Sequence, residues 1–146
     1  MSGTVGLVHH DWRPVDRPGA DESPAADTVR LWASEAGSSG DLLVGTDERV
    51  HLELWHWVLA PGDTHGSEAH AAGTRELIHV VSGSLTLLVD GAEHPVPAGG
   101  AALFHADRDH GYANRGRRPV HLVMVVLQPD ADLDEWTADA APGSPA

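Results

Sequence analysis

Residues 61–83 read PGDTHGSEAHAAGTRELIHVVSG, and residues 91–114 read GAEHPVPAGGAALFHADRDHGYAN. The first stretch opens on a Pro-Gly turn, passes His65, Glu68 and His70, and ends in a segment in which Glu76, Ile78 and Val80 share one strand face. Gly83 and Asp90-Gly91 then supply turns at close spacing. In the second stretch His110, Tyr112 and Asn114 share one parity, so they leave the strand on the same side.

Working outward, short segments rich in Val, Leu, Trp and Thr recur between glycine, proline and aspartate. They predict strands at 28–33, 41–44, 50–59, 76–81, 84–89, 101–104, 110–113 and 120–127. No stretch carries a long 3.6-residue apolar period. Strands this short and this evenly punctuated imply an all-β antiparallel sandwich or barrel. Residues 1–27 are proline- and acid-rich and read as an irregular N-terminal arm; residues 130–146 read as an acidic C-terminal tail; residues 28–129 form the barrel between them. In 50–59 the alternation puts His56 on an apolar face with Leu52, Leu54 and Val58, while His51 and Glu53 begin the opposite face, which continues through Trp55, Trp57 and Leu59.

Composition excludes several kinds of chemistry. The 146 residues contain 11 histidines, no cysteine and no lysine, and carry a formal net charge of −13. Without cysteine there are no disulfides, zinc ribbons, thiol nucleophiles or iron–sulfur sites. Without lysine there is no Schiff-base chemistry and no P-loop. The acidic balance argues against direct nucleic-acid binding. No apolar run approaches the roughly 18 residues of a membrane span, and the N-terminus lacks a signal-peptide pattern, which points to a cytoplasmic protein.

What remains is imidazole, carboxylate and phenol. Two histidines and one carboxylate suit a divalent transition metal and leave positions open for substrate. The candidate ligands are His70, Glu76 and His110, with Glu68 as a fourth. Glu76 points where apolar residues point, and a buried carboxylate is costly unless a metal or histidine pair partners it. His56, Tyr112, Phe104 and His65 are the candidate pocket residues. The same residues also fit a hydrogen-bonded polar cluster without metal.

The two stretches together resemble the cupin superfamily, whose motifs have the forms G-x5-H-x-H-x3–4-E-x6-G and G-x5-P-x-G-x2-H-x3-N. The second is matched at Gly91, Pro97, Gly99, His110 and Asn114, with a longer spacer before His110. The first is matched at Gly62, His70, Glu76 and Gly83; Glu68 stands at its first histidine, and five residues separate His70 from Glu76. The string from His65 to Glu76, with Phe104 to Asp107 and His110 to Asn114, looks like the C-terminal cupin domain of Xre-type helix-turn-helix regulators, over roughly residues 28 to 129. No helix-turn-helix domain is expected upstream of residue 28.

The resemblance implies a double-stranded β-helix, or jelly-roll barrel, that binds a divalent metal and a small organic ligand. The metal expected is Fe(II) before Mn, Ni, Zn or Cu. The chain would act as a metal-dependent enzyme of non-haem iron oxygenase or isomerase type, or as a ligand sensor. The alternative is a metal-free binding or interaction module. Trp55 and Trp57, on one sheet face, are candidates for the interface of an expected homodimer.

Overall fold

The computed structural model describes residues 25–46 and 51–129. Ten strands follow a short 3-10 turn at Ala25–Asp27: β1 (Val29–Ala33), β2 (Ser39–Gly45), β3 (His51–Leu59), β4 (Thr64–Ser67), β5 (Arg75–Ser82), β6 (Leu85–Val89), β7 (Ala92–Val96), β8 (Ala101–His105), β9 (His110–Ala113) and β10 (Val120–Gln128). Among the described residues there is no α-helix. Every pairing is antiparallel. A six-stranded sheet runs β1-β2-β3-β10-β5-β8 and a four-stranded sheet runs β4-β9-β6-β7. This is the jelly-roll barrel expected from the sequence.

The eight strands expected from composition and alternation are all present. Strands β4 and β7 are additional, and their sequences explain why alternation did not reveal them. THGS has no apolar residue, and AEHPV is exposed over its first four positions. Their strand form comes from pairing with β9 and β6, and so from partners rather than propensity.

The core lies between the two sheets. Strand β10 pairs with both β3 and β5, and its buried residues Val120, Leu122, Met124 and Val126 alternate with half-buried ones. Leu122 stands opposite Trp57 and Met124 opposite Trp55, so the inner face of β3 is Glu53, Trp55, Trp57 and Leu59. Leu85, Leu87 and Tyr112 close the core from the smaller sheet.

Two expectations are corrected here. His56 is on the outer face of β3, where its ring lies 5.7 Å from that of His121. Trp55 and Trp57 are buried inside the barrel and are not available to a second copy. Both corrections have one cause. The two faces of β3 are similarly apolar in sequence, and sheet packing turns the aromatic one inward.

Asn114 ties the end of the barrel together. It is buried; its Nδ2 donates to Leu59 O (3.0 Å) and Arg118 O (2.7 Å), and its Oδ1 accepts from Gly116 N (3.0 Å). Its own carbonyl accepts from Gly62 N at 2.8 Å. Gly83 is required in the turn after β5: its φ is +82°, and a Cβ would come within 2.6 Å of the Pro119 carbonyl oxygen.

Candidate metal centre

Three elements converge inside the barrel. His70 lies in the loop after β4, Glu76 begins the buried face of β5, and His110 opens β9. The loop is anchored where His70 N donates to Ala106 O and Ala106 N donates to Thr74 O, both at 2.9 Å. One ligand atom from each of His70, Glu76 and His110 lies within 4.8 Å of the other two. His110 Nε2 is 2.9 Å and His70 Nε2 is 3.7 Å from Glu76 Oε2.

The hydrogen bonds around these atoms fix their chemistry. A backbone carbonyl only accepts, so the 2.8 Å contact between His110 Nδ1 and Arg108 O places a proton on Nδ1. In the neutral ring, Nε2 then carries its lone pair toward Glu76. Tyr112 Oη donates to the other carboxylate oxygen, Oε1, at 2.6 Å. Glu76 Oε2 and His110 Nε2 are buried and have no hydrogen-bond partner other than each other, at 2.9 Å. Two acceptors facing each other at this range require a cation between them, either a proton on Nε2 or a metal ion. The donor set, with Nδ1 of one histidine held by a carbonyl and one carboxylate oxygen held by a phenol, fits a divalent transition metal.

Electrostatics distinguish the three rings. Burial pulls the His70 imidazole below its ordinary 6.5, and burial does the same to His65, so both rings are neutral ligands or acceptors near pH 7. Burial also pulls His110 down, but the adjoining Glu76 carboxylate and the Arg108 carbonyl more than reverse it, leaving His110 raised. Burial, then Glu76, pushes the Tyr112 phenol well above 10, so it remains a donor.

A cavity of about 30 Å³, open at its mouth, adjoins these groups. Tyr112 and His65 line it; His65 is buried, its ring 4.5 Å from Trp32 and 5.0 Å from Trp57. Phe104 stands outside the lining, packed at 5.6 Å against His110 and 6.4 Å against Tyr112, so it supports the site from behind. His56 is not in the cavity. Glu68 is exposed and outside the three-residue group, because the loop turns it outward between β4 and His70. Sequence reasoning missed Glu53, which lines the cavity and is only 5% exposed. The available signal was its parity with Trp55 and Trp57.

Fold and site thus define a double-stranded β-helix with a two-histidine, one-carboxylate group inside the barrel. The chain belongs to the cupin family. Residues 55–126 match the Cupin_2 (cupin domain) family. The solved Cupin_2 domain of an XRE family transcriptional regulator from Enterobacter cloacae is 30% identical with a TM-score of 0.60, covering 63% of this chain and 97% of that one. An HTH_3 family transcriptional regulator from Vibrio cholerae is 26% identical with a TM-score of 0.57, covering 63% of this chain and 51% of that one. Among curated proteins, the HTH-type transcriptional regulator SutR of Escherichia coli (strain K12) is 31% identical over 83 residues, which is 57% of this chain and 47% of SutR. The chain spans about half the length of that curated relative.

Proposed function

We propose that this cupin binds one divalent transition metal through His70, Glu76 and His110 and holds a small organic ligand beside it. The observation that carries the reading is the convergence of His70, Glu76 and His110 on one point inside the barrel, with Glu76 Oε2 2.9 Å from His110 Nε2 and 3.7 Å from His70 Nε2 and the His110 Nδ1 proton held by the Arg108 carbonyl. Fe(II) suits such a set best, with Mn, Ni, Zn and Cu as competitors. When bound, the ion supplies Lewis acidity and open coordination positions. The chain's own residues do the rest: Tyr112 orients Glu76, the Arg108 carbonyl sets the His110 tautomer, and the aromatic wall excludes water.

The similarity to regulator domains supports a ligand-sensing role. The open two-histidine, one-carboxylate geometry supports catalysis of the non-haem oxygenase or isomerase kind. Elemental analysis of untagged protein tests the common core of both. About one equivalent of metal, lost in His70→Ala and His110→Ala, is expected; a metal-free protein that cannot be reloaded overturns it and favours a metal-free binding module.

As part of the same reading, the protein is cytoplasmic and a homodimer, and leaves nucleic acid to other chains. The acidic charge supports the last point. The dimer is supported by the outer face of the larger sheet, where Leu52, Leu77, Val81 and Leu103 are exposed by 45–62%.

A further inference from the structure

The cavity has a second polar end. Strand register places Glu53 opposite Val126 and Val126 opposite Glu76, so the two carboxylates sit on one inner face with a single strand between them. Two strand spacings put their backbones roughly 10 Å apart. Glu53 is only 5% exposed, it lines the cavity, and its Oε1 is buried without a hydrogen-bond partner. Its surroundings are mainly aromatic and apolar, with the indole N–H groups of Trp55 and Trp57 buried in the same wall and Ser67 and Gln128 also lining the cavity. Trp55 and Trp57 lie 5.7 Å apart at 26°, Trp57 and Tyr112 6.3 Å apart at 26°, and Met124 and Val126 complete the wall.

The Trp55 indole N–H acts on the Glu53 carboxylate as a hydrogen-bond donor; an ionised carboxylate only accepts, so whatever completes its buried Oε1 must donate as well. No arginine lines the cavity and the chain has no lysine, so no fixed cation of the protein fills this role. Indole and phenol ring faces attract cations and are indifferent or hostile to anions. The low-polarity wall strengthens a charge pair formed against it. We propose that the Glu53 end of the cavity is a subsite for a protonated amine, held by the Glu53 carboxylate and packed against the rings of Trp55 and Trp57. This rests on the reading of the barrel interior as a ligand site and refines it. The ligand class becomes a small amine whose far end carries a metal-ligating oxygen or nitrogen. Burial pushes the Glu53 carboxyl up to about 7 in the free protein, and a bound cation would draw it back down.

The test uses the full chain, metal-free and metal-loaded, with three probes of equal length: butylammonium, butan-1-ol and butyrate. Calorimetry or tryptophan fluorescence should show butylammonium bound with a millimolar or tighter Kd, at least tenfold tighter than the other two. Glu53→Gln should abolish the preference, and His70→Ala with His110→Ala should leave it in place. In the unsubstituted protein, carbon-13 NMR of the Glu53 carboxyl at pH 7 should move to the ionised shift on adding butylammonium and not on adding butan-1-ol. Equal binding of all three probes, no binding by the folded protein, an undiminished preference in Glu53→Gln, or an unmoved Glu53 signal would each overturn the proposal. Because these probes need no metal, loss of the preference with metal bound removes this inference alone. An intact preference in a chain that takes up no metal removes the metal reading alone.

Discussion

His110 Nε2 and Glu76 Oε2 stand 2.9 Å apart inside the barrel, both buried and with no other hydrogen-bond partner. With Nδ1 of the same ring held by the Arg108 carbonyl, the pair is stable only around a positive charge. The expectations below follow from that contact and from the groups that hold it.

Metal occupancy should depend on pH. Binding needs neutral imidazoles, so occupancy should fall as pH drops through the histidine range near about 6.5. His70, lowered by burial, resists protonation; His110, raised by Glu76, is the ring whose proton competes with the ion. Dialysis at pH 5 and pH 8 followed by elemental analysis checks this, and unchanged occupancy at pH 5 would contradict histidine ligation.

Tyr112→Phe should weaken the centre without removing a ligand. The phenol donates to Glu76 Oε1 at 2.6 Å in a fully buried contact, and a hydrogen bond to a charged group contributes about 1.5–3 kcal/mol. Metal affinity should fall about 10- to 100-fold, as for other groups that orient a ligand. Competition with a chelator measures the affinity, and urea denaturation of the metal-free protein measures the stability.

Glu53→Gln should stabilise the metal-free protein at high pH. The folded-state pKa is raised to about 7, so Glu53 binds its proton more tightly folded than unfolded. The stability this contributes is complete below the ordinary carboxyl range near about 4.5 and is lost as pH rises through 7. Above that, the wild type carries a buried charge that glutamine lacks. The expected gain at pH 8 relative to pH 5 is about 1–2 kcal/mol, discounted for solvent entering the cavity mouth, and thermal melts at the two pH values measure it.

Asn114→Ala should destabilise the whole barrel. It removes the bonds donated to the Leu59 and Arg118 carbonyls and the bond accepted from Gly116 N. A loss of about 2–4 kcal/mol is expected, read as a lower urea midpoint with an unchanged slope. A loss below about 0.5 kcal/mol would mean that water replaces the side chain.

Light scattering at micromolar concentration should give a dimer mass, and Val81→Glu with Leu103→Glu should give a monomer. These residues are 55% and 62% exposed, so the substitutions should spare the fold. A monomeric unsubstituted protein would remove the dimer.

Much of the molecule was legible in the chain. Turn residues and period-two alternation marked eight of the ten strands, and the spacing of Gly62, His70, Glu76 and Gly83, then Gly91, Pro97, Gly99, His110 and Asn114, marked the family. These are local properties, fixed by backbone conformation and by the period of a strand. For β3 the tertiary structure alone decided which face turns inward. Residues 51–59 are apolar on both sides, so only pairing with β10 and closure of the smaller sheet could send Trp55, Trp57 and Glu53 inside and His56 out. The same closure left Glu68 at the surface and set Glu53 across one strand from Glu76. Alternation defines two faces, but which of them is buried is a property of the packed barrel.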